Sequence, residues 1–95
     1  MANLQEPHFD TTRAWLLHNI HRFLDANLAH GWLDGEAFGW AACRDSGLME
    51  RLEGGGDCRT GKMDDILAFI QNPIPPKKWE KAVLTPITLT RRVYE

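Results

Sequence analysis

Apolar residues return at three- and four-residue intervals in four successive stretches of this chain, the spacing that lines one side of an α-helix. Between Asp10 and about Ala29 the stripe is Leu16, Leu17, Ile20, Phe23, Leu24 and Leu28, with Asp10 or Thr11 as the N-cap and Gly31 as the stop. A second stretch runs from the capping residue Asp34 to about Cys43 and turns Ala37, Phe38, Ala41 and Ala42 inward. A third, Ser46 to Glu53, is short, places Leu48, Met49 and Leu52 on one face, and is ended by Gly54-Gly55-Gly56. The fourth starts at Thr60, buries Met63, Ile66, Leu67 and Ile70, and closes at Asn72 before Pro73. Four helices joined by short turns predict a mostly all-α bundle.

Beyond Asn72 the pattern changes. Pro73, Pro75 and Pro76 forbid a continuous helix, and Lys77 to Leu84 has room for one further turn or two. From Ile87 to Tyr94 the chain alternates, with Ile87, Leu89 and Val93 on one side and Thr88, Thr90, Arg92 and Tyr94 on the other. This reads as a short C-terminal β-strand or extended tail. No second strand is encoded, so its backbone groups need a partner, either another copy of the chain or another protein. The expected organisation is an N-terminal segment 1–9, a helical domain 10–72, and a proline-containing basic tail 73–95 that carries the dimerisation strand.

With 95 residues the chain has enough surface to bury for one core and too little for two. Its 43% hydrophobic and 25% charged content is that of a globular protein, with four Trp and four Phe suited to filling a small core. Trp15, Trp32 and Trp40 fall in or beside the helical stretches and are expected in the core or at helix junctions; Trp79 is the candidate interface anchor. No segment approaches the roughly 18 apolar residues of a membrane span, and MANLQEPHFD lacks the basic and apolar parts of a secretory signal, so a cytoplasmic protein is expected. Cys43 and Cys58 match neither zinc-finger nor CxxC spacing and read as reduced thiols. The net charge of −2 conceals an asymmetry: from Pro73 onward there are 5 basic and 2 acidic residues, against 6 and 11 before it.

The stretch FGWAACRDSGLMERLEGG, Phe38 to Gly55, resembles the helix-turn-helix core of the phage-repressor-like (Xre) transcription regulators. Gly39 stands where the second helix of that family carries a small residue to admit the third. Met49 and Leu52 match the inward positions of the recognition helix, and Glu53-Gly54-Gly55 matches its ending. Cys43 occupies the place of the family's turn glycine, and Arg44 that of an apolar residue. The resemblance implies a four- to five-helix repressor-like bundle that binds duplex DNA as a homodimer. The third helix would lie in the major groove and face base edges with Asp45, Ser46, Gly47, Glu50 and Arg51.

On that reading Ser46, Gly47, Glu50 and Arg51 meet the bases, while Arg44, Arg59, Lys62, Lys77, Lys78, Arg91 and Arg92 neutralise phosphates. Dimerisation falls to Ile87, Leu89, Val93 and Trp79. The alternative is a protein-interaction module, such as an antirepressor, anti-restriction factor or adaptor, that presents its acidic surface to another protein. The basic tail fits either a phosphate backbone or the acidic body of its own domain.

Other chemistry is weakly encoded. Gly56 to Lys62, GDCRTGK, matches a phosphate-loop pattern, but Met63 replaces the magnesium-binding Ser or Thr and a helix rather than a strand leads into it. His18, His21 and Asp25 share a helix without a fourth ligand, and Cys58 has no base partner in the sequence. The expectation is a protein without cofactor or metal, and not an enzyme.

Overall fold

The computed structural model describes residues 9, 11–79 and 81–91. The order is α1 (Thr12–Ala26), α2 (Gly35–Cys43), α3 (Leu48–Glu53) and α4 (Thr60–Gln71), followed by one 3-10 turn, Lys77–Trp79. The fold is all-α, with no β-strand among the described residues. No helix among them is long and apolar enough to cross a membrane.

Capping sets the helix starts. Thr11 Oγ1 accepts the Ala14 N–H at 3.0 Å, and Asp34 Oδ1 accepts that of Ala37 at 2.8 Å. Asp10, the other candidate cap, lies outside the described residues. The first helix ends at Ala26, earlier than the apolar stripe suggests, and Gly31 is not its stop. Leu28, expected inward, is 75% exposed because the chain has already left the helix at Asn27.

The core gathers Leu16, Ile20 and Phe23 of α1, Phe38 of α2, Leu48, Met49 and Leu52 of α3, and Ile66, Phe69 and Ile70 of α4. Its centre is a triangle of Phe23, Phe38 and Phe69, with ring centroids 5.6–5.9 Å apart in tilted and edge-on arrangements. Phenylalanine thus fills the core, whereas tryptophan mostly does not. Trp15 is buried, Trp32 half-buried and Trp40 52% exposed, with the Arg44 guanidinium 5.4 Å from its ring centroid. At six residues α3 is far below the roughly 12–15 needed for an isolated helix, so it exists by docking Leu48, Met49 and Leu52.

The tail is extended but forms no ladder. Several of its polar groups are taken by side chains of α1 and its C-cap, so that over the described residues this stretch docks on its own chain, where the sequence suggested a second copy or another protein as partner. The Thr85 N–H donates to Asn27 Oδ1 at 2.7 Å, and Asn27 Nδ2 donates to the Thr85 and Phe23 carbonyls. The Thr90 N–H donates to Asn19 Oδ1 at 2.7 Å, and Trp15 Nε1 to the Thr90 carbonyl at 2.8 Å. Arg22 Nη1 reaches the Thr88 carbonyl, and the Ile87 N–H reaches the Ile70 carbonyl. Ile87 and Leu89, assigned above to dimerisation, pack against the chain's own core, and Leu84 is buried in it. Val93 and Arg92 lie outside the described residues.

Asn19 and Asn27 are both fully enclosed, and each amide also donates to the carbonyl four residues earlier in α1. Removing the Asn27 side chain abolishes three hydrogen bonds and strands the Thr85 amide. Asn27→Ala is therefore expected to lower the unfolding free energy by about 2–3 kcal/mol. Urea denaturation measures the loss, and faster tryptic cleavage at Lys81 reports release of the tail.

Candidate nucleic-acid interface

The surface singled out in the sequence is built round the turn from α2 to α3. Gly39 sits in α2 directly beneath that turn. A Cβ at this position would lie 2.2 Å from the Asp45 carbonyl oxygen and 3.2 Å from Leu48 Cβ, so only glycine admits the close approach. The turn begins at Arg44, whose φ of 58° is in the left-handed region. Its N–H returns to the Trp40 carbonyl, and the Asp45 N–H donates to the Gly39 carbonyl at 3.1 Å. Arg44, one residue past Cys43, thus takes the conformation that a turn glycine would favour.

Asp45 then ties the turn together. Its Oδ1 accepts the Gly47 N–H at 3.1 Å. Its Oδ2 accepts from Arg51 Nη2 of α3 and from Lys62 Nζ of α4, the latter at 2.8 Å. Hydrogen bonds from Arg51, then Lys62, hold the carboxyl far below the usual carboxylate range, against the opposing effect of burial. One carboxylate between two cations leaves a net positive cluster in which both cations have a fixed direction.

The far end of α3 is closed by its glycines. The Gly55 N–H reaches the Leu52 carbonyl and the Gly56 N–H the Arg51 carbonyl at 2.8 Å, with Gly55 at φ 99°: a Schellman ending. Arg13 of α1 also donates to the Leu52 carbonyl at 2.9 Å. The helix starts at Leu48, two residues later than the sequence suggests, so exposed Ser46 and half-buried Gly47 belong to the turn before it, and its outward side consists of exposed Glu50, Arg51 and Glu53.

The predicted residues divide into separate groups. Gly47, Arg51 and Lys62 come together on Asp45, whereas Ser46 and Glu50 line a shallow surface with the start of α2. Arg44 is exposed at the end of α2 with its guanidinium 5.4 Å from the Trp40 ring centroid, and Arg59 is the exposed residue before α4. Lys77 and Lys78 belong to the 3-10 turn beyond α4, where Trp79 stacks on Trp32 of the same chain. Arg91 is exposed at the end of the described tail.

Sequence reasoning missed three contributors. Asp45 was counted among the groups facing bases, although it braces Arg51 and Lys62; an acid followed after two residues by a glycine was the available signal. Arg13 gave no signal, because its acceptor is 39 positions away. A shallow channel between the start of α2 and α3 collects Asp34, Glu36, Glu50 and Glu53, carboxylates from two segments that only the fold brings together.

The groups set aside earlier have structural partners. His18 Nε2 lies 3.1 Å from Thr90 Oγ1, and His21 Nε2 is 3.3 Å from Glu53. Burial, with Arg22 and His21 nearby, lowers the His18 pKa. No group of three or more His, Cys, Asp or Glu among the described residues is placed to hold a metal. Cys43 and Cys58 are unbonded to each other, and burial pushes both thiols up, away from the reactive thiolate.

Two glycines in helices should respond oppositely to alanine. Gly39→Ala gains about 1 kcal/mol of helix propensity but must move the Asp45 backbone, and a net loss of about 1–3 kcal/mol in thermal or urea unfolding is expected. Gly61→Ala meets nothing within 4 Å and should stabilise α4 by up to about 1 kcal/mol.

The Asp45 pKa is depressed by folding, so its contribution to stability is complete above the unfolded value of about 3.9 and is lost as pH falls towards the folded value. The stability gap between the native chain and Asp45→Asn should therefore be constant from pH 7 to about 5 and shrink below about 4. Equal gaps at neutral and acid pH would contradict the brace.

Comparison with protein-family models, with curated proteins and with solved structures returns no match to this chain.

Proposed function

We propose that α2, the turn at Asp45 and α3 act as a helix-turn-helix of the phage-repressor type and that the chain is a small transcriptional regulator of duplex DNA. The observation that carries this reading is the braced Arg51. An arginine reads guanine through two parallel hydrogen bonds, which requires a guanidinium of fixed direction. Asp45 supplies that direction from one side and leaves the remaining N–H groups of Arg51 for a ligand. Exposed Ser46 in the turn before α3 offers a second contact, and Lys62 and the exposed Arg44 and Arg59 are available for phosphates. A homodimer on two half-sites belongs to this proposal, formed through surface other than Ile87 and Leu89, which the core occupies.

A second reading is favoured by the carboxylate channel. Asp34, Glu36, Glu50 and Glu53 gather beside α3 and would repel a phosphate backbone laid along them. A basic segment of another protein suits that channel, and the chain would then be an interaction module on the same scaffold.

Fluorescence anisotropy against pooled duplex fragments separates the two. On the DNA reading affinity falls log-linearly with salt. Arg51→Ala weakens selected over random duplex by about 1–3 kcal/mol, and Arg44→Ala weakens both alike. No retention by the folded chain at low salt, together with capture of a lysine-rich peptide that is lost in Glu50→Gln/Glu53→Gln, would transfer the assignment to the protein-binding reading.

A further inference from the structure

The 3-10 turn beyond α4 carries a feature that the α3 reading does not use. Trp79 lies on Trp32, from the loop between α1 and α2, with ring centroids 4.8 Å apart and planes within 3° of parallel. The turn beneath it is held at both ends: the Trp79 N–H donates to the Pro76 carbonyl at 2.7 Å, and the Ala82 N–H to the Trp79 carbonyl at 2.8 Å. Pro75 and Pro76 stiffen the entry, and the His30 ring, 6.2 Å from that of Trp32, holds the exit through Nε2 at 2.8 Å from the Val83 carbonyl. The indole is thus clamped in one plane, yet Trp79 remains 39% exposed.

Round it stand three exposed lysines. Lys77, Lys78 and Lys81 line a shallow recess with Trp79 and Ala82, and Lys78 Nζ is 5.8 Å from the ring centroid. None of the three forms an ion pair with another described residue. The segment Lys77 to Lys81 keeps a net positive charge even with Glu80 counted.

We propose that this turn is a binding site for single-stranded nucleic acid, in which an unpaired base stacks on the outer face of Trp79 and the flanking phosphates meet Lys77, Lys78 and Lys81. A planar ring held rigid and partly bare loses little entropy when a second flat ring covers it. Base stacking on such a platform tolerates any sequence, and the lysines supply the attraction to the backbone. Lys78 moves from the indole to a phosphate as the base arrives. An acyl-chain surface suits the site less well, because an indole pinned flat on its neighbour cannot insert edge-on into a bilayer. The site is carried by different residues from those of α3 and does not depend on the duplex-binding reading.

The test is anisotropy of a labelled oligothymidylate about a dozen nucleotides long, a length within the reach of one small site, at low and moderate salt. The intact chain is expected to bind with tryptophan quenching, and Trp79→Leu to lose about 5- to 100-fold in affinity. Lys78→Gln/Lys81→Gln should flatten the log-log salt slope by about 0.7 per lysine, and as exposed side chains they leave the fold intact, so this variant decides the matter if Trp79→Leu unfolds. Arg51→Ala should bind the oligonucleotide like the intact chain, which separates this site from the duplex proposal. No binding at low salt, an unchanged salt slope, or tighter capture by phosphatidylglycerol vesicles than by the oligonucleotide would overturn it.

Discussion

The architecture round the candidate interface depends on one steric constraint, the contact of the Asp45 carbonyl with the bare Cα of Gly39. Any side chain at residue 39 would lift the turn away from α2. With the turn seated, Leu48, Met49 and Leu52 enter the core and hold a helix too short to persist alone. The same seating delivers the Asp45 carboxylate to a point where Arg51 and Lys62 converge on one oxygen. A backbone contact thus becomes an electrostatic one, and a solvent-facing arginine acquires a fixed direction.

The second organising device joins α1 to the tail. Two enclosed asparagines of α1 give their amides both to the helix and to the extended tail. A buried amide has to satisfy two donors and an acceptor, and here a passing strand of backbone supplies what solvent would otherwise provide. The tail consequently behaves as a fifth packed element, bringing Leu84, Ile87 and Leu89 to the core without a sheet. The loop between α1 and α2 also holds the exit of the turn that presents Trp79, through the His30 contact to Val83.

The two proposed contacts with nucleic acid differ in kind. At α3 the geometry is that of a directed hydrogen-bonding group, Arg51, framed by carboxylates that penalise a misplaced backbone. At the 3-10 turn it is a stacked ring among ammonium groups that form no ion pair with another described residue, suited to stacking and charge. On either reading the acidic channel beside α3 would favour a ligand that brings its own positive charge there.

Much of the helical fold was legible because periodicity is local. The stripe of Met63, Ile66, Leu67 and Ile70, the start at Thr60 and the glycine ending of α3 needed only neighbouring residues to be read. The need for a small residue at Gly39 was legible too, through the resemblance, and the 2.2 Å clearance gives its physical cause. By contrast, Leu28 misled because periodicity says nothing of where a buried asparagine will turn the chain, and Trp40 because apolar character does not specify which side of α2 receives partners. The fate of the Ile87 to Leu89 stretch turned on amides about 60–70 positions earlier, and the pairing of Trp32 with Trp79 on two loops distant in sequence. The sequence by itself determined that there are four helices, the cap at Asp34, the glycine ending of α3 and the charge asymmetry, since those follow from neighbours within a turn or two. Only the tertiary structure decided which polar groups meet, because a hydrogen bond or a stacked ring is satisfied by proximity in space, and proximity is created by the core.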